Sequence, residues 1–162
     1  YDEVQNTQDG ENRDTKLDAV LDKLFEALSL EMNSLGEHHP QVSATHAFIS
    51  QIHLKKNDRT KALQSMKYAV GTAEIALGVN HPKTADKYYE LARQYEGMDR
   101  NQYDQAYAML YYQKALDAFE QAEGNHSRII VAILNDAAVL LLKKGDHKAA
   151  IQQLRRAIAV YE

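Results

Sequence analysis

Among the side chains able to do chemistry, histidine and tyrosine stand out in this 162-residue chain, with seven and ten copies. His46 and His53 lie seven apart, two turns along one helical face, and could lean toward a common metal ion. The positions that match them elsewhere in the chain are Tyr88, Tyr95, Leu134 and Leu141, which are packing residues, so no metal site is expected. His38, His39, His81 and His126 fall at junctions, where helix capping and turns account for them. There is no cysteine, which excludes a disulfide framework, thiolate zinc and a cysteine nucleophile. No glycine-rich phosphate loop, nucleophile elbow or His-Glu-x-x-His occurs. The expectation is a protein with no cofactor and no enzymatic site.

Tyrosine is concentrated: seven of the ten lie between Tyr88 and Tyr112. Tyr88, Tyr95 and Tyr112 fall in core columns. Tyr103, Tyr107 and Tyr111 form an i, i+4, i+8 stripe beside that core face, either half-buried against a neighbouring helix or available as a second contact surface. Tyr89 lies apart from both groups, one helical turn from Arg93.

These side chains have to be positioned by helices. Seven glycines and two prolines are too few for a turn-rich all-β chain, and 44% hydrophobic residues suffice for a continuous core. No apolar run nears the ~18 residues of a membrane span. With Tyr1 first and no secretory leader, the chain reads as a segment of a longer, cytoplasmic protein. The net charge of -4 sits wholly in residues 1–14, where Asp2, Glu3, Asp9, Glu11 and Asp14 face only Arg13. The remainder balances to zero, which argues against nucleic acid as a partner.

The chain repeats itself. Leu35-Gly36-x-x-His39-Pro40 returns as Leu77-Gly78-x-x-His81-Pro82, 42 residues on. Proline suits a first helical position and glycine the left-handed residue past a helix end. A degraded third copy has Gly124 and Ser127-Arg128. In the second helix of each pair, Ala62, Met66 and Ala69 match Ala108, Tyr112 and Ala115, then Ala150, Leu154 and Ala157. Carried backwards, the same register meets Val20, Leu24 and Ala27. In the first helices, His46, Ile49, Ser50 and His53 match Tyr88, Leu91, Ala92 and Tyr95, then Leu134, Ala137, Ala138 and Leu141. Small residues at this spacing mark close helix approach. Seven helices follow, over about 14–34, 41–55, 59–77, 83–97, 104–122, 128–143 and 147–161. Residues 1–13, without apolar period, are expected as a flexible acidic tail. Residues 14–162 form the array: an unpaired helix over 14–36, repeats over 37–78 and 79–124, the second with an insertion near 100–103, and a repeat over 125–162.

The run Asn135-Asp-Ala-Ala-Val-x-Leu-x-x-x-Gly145-Asp-x-x-x-Ala150-x-x-x-Leu-x-x-Ala157 resembles a tetratricopeptide repeat. The 42-residue period and the Leu-Gly-x-x-His-Pro junction are similar to the kinesin-light-chain variety, and clustered-mitochondria proteins use a similar repeat. Asn57 and Asp99 stand where the family pattern and Gly145 have glycine. The resemblance implies an all-α, right-handed α-solenoid whose first helices line a concave groove. It places Ala44, Ala47, Phe48, Gln51, Leu54 and Lys55, then Asp86, Tyr89, Glu90 and Arg93, then Ala132, Asn135, Asp136, Val139 and Lys143 in that groove.

The function implied is a protein-binding adaptor or cargo-recognition module that takes a peptide segment, favouring an acidic and aromatic one. Asn135 would engage the peptide backbone, Lys55, Arg93 and Lys143 its acids, and Phe48, Tyr89 and Val139 its apolar side chains, with Gln51 beside them. The alternative is an assembly or self-association module acting through Tyr103, Tyr107 and Tyr111 or the array ends. A clustered-mitochondria-type role near RNA granules or mitochondria is a further reading.

Overall fold

The structure, a computed structural model, describes the backbone of residues 2–98, 102–122 and 127–160, and side chains over 12–98, 104–122 and 127–160. Its elements are α1 (Asp2–Leu35), α2 (Pro40–Lys55), α3 (Arg59–Leu77), α4 (Pro82–Met98), α5 (Gln102–Gln121), α6 (Ser127–Lys143) and α7 (His147–Ala159). No strand occurs among the described residues, so the all-α expectation holds. Two compact units divide the chain, Tyr1–Thr72 and Ala73–Glu162, with the boundary inside α3.

The junctions show why the chain turns where it does. Gly36 and Gly78 adopt φ of 91° and 89°, a region that costs glycine little, and each amide closes the preceding helix on the carbonyl four residues back. Pro40 and Pro82 then open the next helices, where a missing N–H is harmless. The histidines before them are caps: His39 Nδ1 accepts from the Gln41 amide at 3.1 Å, and His81 Nδ1 from the Lys83 amide at 3.1 Å. Within the repeats, Asn57 (φ 59°) and Gly145 (φ 78°) make the same left-handed turn. Asp58 N–H donates to His53 O and Asp146 N–H to Leu141 O, each across five residues. Asparagine tolerates this conformation better than other side chains, which explains its place in the glycine column. Asp99, Gly124 and His126 lie outside the described residues.

The register columns are the core except at Val20 and Leu154, which are 43% and 41% exposed. Ala62, Met66, Ala69, Ala108, Tyr112, Ala115 and Ala150 are essentially sealed from solvent, as are Ile49, Ser50, Tyr88, Leu91, Ala92, Leu134, Ala137 and Ala138. In the first unit, α1 lays Leu21 and Leu28 against Val42 and Ile49 of α2, with Leu24, Met32 and Ile52 around them. Between α2 and α3, Ser43 Oγ donates to Ala69 O at 2.6 Å and Ser50 Oγ to Ala62 O at 2.7 Å. Such bonds need the two backbones close, and only an alanine on α3 leaves that room. Pairing 43 with 69 and 50 with 62 makes the helices antiparallel. In the second unit, Ala138 and Leu141 of α6 close on Ala150 of α7, with Met109 of α5 against them.

Ala108 of α5 has no exposed surface, so Ala108→Leu should overpack its contact and cost about 1–3 kcal/mol. Thermal melting tests this, and a wild-type transition would mean that the wrong face of α5 had been assigned to the core.

One boundary is corrected. Helix α1 begins at Asp2, so residues 2–13 of the segment expected as a tail over 1–13 continue the first helix. The stretch contains no proline, and its Glu and Gln are good helix formers. Lack of an apolar period removes the amphipathic signal, not the helix propensity. Arg13 Nη2 donates to the Lys55 carbonyl at 3.2 Å, and Asp18 pairs with Lys56, so the first half of α1 is tied to the end of α2.

Candidate functional site

Helices α4 and α6, the first helices of successive repeats, bring the expected groove residues of the second unit together. Tyr89 Oη donates to Asp136 Oδ2 at 2.8 Å, joining the two helices across 47 residues. The Arg93 guanidinium lies 5.9 Å from the centre of the Tyr89 ring, and its Nε stands 3.9 Å from Asp136 Oδ2. A cation over an aromatic face is held by the ring quadrupole, which orients the fork of the arginine without consuming it. Two turns further along, Lys143 Nζ binds Glu96 Oε1 at 2.7 Å, while Tyr112 of α5 donates its hydroxyl to Glu96 Oε2 at 2.8 Å. Asn135 and Val139 are exposed on α6 beside these pairs.

Two carboxylates, Asp136 and Glu96, therefore organise this face. Each receives a tyrosine hydroxyl and stands beside one cation. Burial, and then the bond to Asp136, push the Tyr89 phenol up to about 12, so it remains a donor. The Tyr112 phenol is raised further by burial and by Glu96. Burial also raises Glu90, whose Oε2 has no hydrogen-bond partner among the described residues and lies 4.0 Å from Lys87 Nζ. Glu96 was not among the residues singled out in the sequence. Its signal is weak, because nothing local ties an acid on one helix to a lysine 47 positions later. Lys143, expected to meet a ligand, is already engaged by Glu96; Arg93 keeps 66% of its side chain exposed.

In the first unit, Phe48, Gln51, Leu54 and Lys55 are exposed along α2, as the register requires. Ala47, also placed in the groove columns, is buried, whereas Tyr89 and Asn135, its equivalents in the later repeats, are half-buried and exposed.

The tyrosine stripe has another role. Tyr95 stacks on Tyr107 at 5.1 Å and on Tyr111 at 5.8 Å, nearly parallel to the latter, and Lys114 Nζ sits 5.5 Å from the Tyr111 ring. Tyr107 and Tyr111 thus zip α5 to α4; Tyr107 keeps about half its surface exposed. The Tyr103 side chain lies outside the described residues.

His46 and His53 are held by packing within the first unit. His46 stacks on Tyr68 at 5.4 Å, His53 is buried, and burial lowers both imidazoles below 6.5. Among the described residues no three ligand-type side chains converge, and no helix is long and apolar enough to cross a membrane.

Comparison with known proteins agrees with this architecture. Residues 98–162 match the family model described as "Tetratricopeptide repeat". The chain is 28% identical over 123 residues to a clustered mitochondria protein homolog of Ajellomyces capsulatus, covering 75% of this chain and 10% of that protein. A homolog of the same name from Aspergillus fumigatus is 24% identical over 139 residues, covering 86% and 10%. The chain therefore spans about a tenth of the length of these relatives. Among solved structures, BtubC (BKLC) from P. vanneervenii superposes with a TM-score of 0.78 at 16% identity, over 93% of this chain and 58% of that one. A Podosopora anserina putative kinesin light chain with nearly identical TPR-like repeats gives 0.71 at 17% identity, over 91% and 68%. These superpositions show the fold, an all-α solenoid of helix pairs.

Proposed function

We propose that the chain, whose residues 98–162 match the tetratricopeptide-repeat model and whose fold is that of the solved repeat solenoids, binds a peptide segment of a protein partner on its first helices. It would act as an adaptor or cargo-recognition module, like that implied by its resemblance to kinesin-light-chain and clustered-mitochondria repeats. The fold is that of a non-catalytic interaction module. The observation that carries the finer reading is the α4–α6 face. There Arg93 is oriented by Tyr89 and Asp136 yet remains mostly exposed, next to the open amide of Asn135 and the apolar Val139. An extended peptide offers the three groups such a face can take: a carboxylate for Arg93, backbone amides for Asn135, and an apolar or aromatic side chain for Val139 and Tyr89. In the first unit, Phe48, Gln51 and Lys55 on α2 are the corresponding candidate contact residues. Lys143 would contribute only by leaving Glu96, so Arg93 is the principal cation. A cytoplasmic setting, at the cytoskeleton or an organelle surface, accompanies this reading. The stacking of Tyr107 and Tyr111 on Tyr95 leaves less support for assembly through that stripe.

The test is a titration of a fluorescent peptide carrying acidic residues around one aromatic. Asn135→Ala should weaken binding about 3–10-fold through lost backbone hydrogen bonds, with little change in salt dependence. Failure of the wild type to bind, or an Asn135→Ala variant that binds equally well, would refute the proposal.

A further inference from the structure

Three histidines mark one row of α2 at seven-residue intervals: His39, His46 and His53. Two helical turns separate each from the next, which sets His46 and His53 on one face and His39 at its head. Each stands where the neutral imidazole fits and the charged one does not. His39 caps the helix through Nδ1, which accepts from the Gln41 amide at 3.1 Å. A protonated ring has no lone pair left for that bond, and its charge would stand at the positive end of the helix dipole. His46 is half-buried and stacked on Tyr68 of α3 at 5.4 Å. His53 is only 8% exposed. Burial holds both imidazoles below the ordinary 6.5.

The surroundings of α2 do little to compensate a positive charge. Toward His46, α1 presents Glu31, whose carboxylate already accepts the Thr45 hydroxyl at 2.7 Å, and α3 presents the Tyr68 ring. Around His53 stand Asp18 of α1, Lys56 and Asp58 of the turn, and Lys61 of α3. Asp18 is paired with Lys56 and Asp58 with Lys61, so the two acids and the two lysines offset each other. Glu37 and His38 are the titratable neighbours of His39 in its junction. The later first helices lack this row. In α4 the same positions are His81, Tyr88 and Tyr95, and in α6 Ser127, Leu134 and Leu141, so the imidazoles fall from three to one to none. Acid should therefore act on α2 before the others.

We propose that α2 is an acid-released element: as pH falls from about 7.5 to about 5.5, protonation of His39, His46 and His53 unseats the helix from α1 and α3. An exposed imidazole binds its proton near 6.5 and the two buried ones only at lower pH. The seated helix is therefore fully stable above that value and loses stability as pH falls through the folded values. Phe48, Gln51 and Lys55 lie on the outer face of α2, so release would withdraw them from a ligand. The device itself does not depend on the peptide reading.

Hydrogen exchange read by mass spectrometry on the 162-residue chain tests this. After correction for intrinsic rates, α2 amides should exchange at least ~10-fold faster at the lower pH, since each unit of difference in proton affinity is worth a factor of ten. The α6 amides should change little, and those of α4, losing only the His81 cap, should fall between. A triple variant takes its residues from the later repeats: His39→Ser, His46→Tyr and His53→Leu. It should keep α2 protected at both pH values. If it does not fold, His39→Ser and His46→Tyr alone should each reduce the acceleration. Unchanged α2 protection across the two pH values overturns the proposal. So does equal loss in α2 and α6, which is general acid unfolding. A folded triple variant that still loses α2 protection, or single variants that leave the acceleration intact, overturn it as well.

Discussion

Replacing Tyr112 by alanine is expected to cost about 3–5 kcal/mol, a large share of the stability of a domain this size. Its side chain is wholly buried on α5, its ring lies 6.1 Å from that of Tyr89, and its hydroxyl holds Glu96. Truncation empties a large volume between α4 and α5 and removes one donor from a partly buried carboxylate. Tyr112→Phe separates the two effects. It keeps the volume and loses the hydroxyl, so it should cost about 1–3 kcal/mol, near the lower end because Lys143 still binds the other oxygen of Glu96. Urea denaturation followed by circular dichroism measures both. If Tyr112→Ala unfolded at the wild-type midpoint, the α4–α5 packing described here would be wrong.

Arg93→Glu should lower affinity for an acidic peptide at least tenfold while leaving thermal stability nearly unchanged. The substitution removes an attraction of the kind worth ~2–5 kcal/mol at an interface and adds a repulsion. It also sets a second carboxylate near Asp136, which Arg93 now faces at 3.9 Å. That contact is long and exposed, so its loss costs the fold little. Binding to the wild type should weaken with salt, and the residual binding of the variant should do so less. Unchanged binding, with loss instead on altering Tyr107 and Tyr111, would move function to the assembly reading. Unfolding of Arg93→Glu would make Arg93 a structural ion-pair residue and place the peptide elsewhere.

The repeat itself was legible in the sequence. The paired repeats bury one helix face at a regular spacing, so Ala62, Ala108 and Ala150 recur on schedule, and their burial follows from that periodicity. The junctions were legible too, because Gly36, Gly78, Pro40 and Pro82 act through their own backbone geometry and need no distant partner. Even the asparagine at 57 could be placed, since it shares a left-handed turn with Gly145. What spacing could not reveal is where a polar helix starts, as the α1 start at Asp2 shows, because a segment without apolar period carries no amphipathic signal.

Nor could spacing tell which charges meet. Lys143 and Arg93 are both cations in groove columns, yet Lys143 binds Glu96 at 2.7 Å while Arg93 stands 3.9 Å from Asp136. The tyrosine stripe, open to two readings in sequence, became a stack on Tyr95 only when α4 and α5 were set side by side. Local propensity and periodic burial are properties of one stretch of chain, and the sequence by itself determined them. Ion pairs and ring stacks depend on the separation and rotation of two helices, at a tolerance of an ångström or so. Only the tertiary structure decided those.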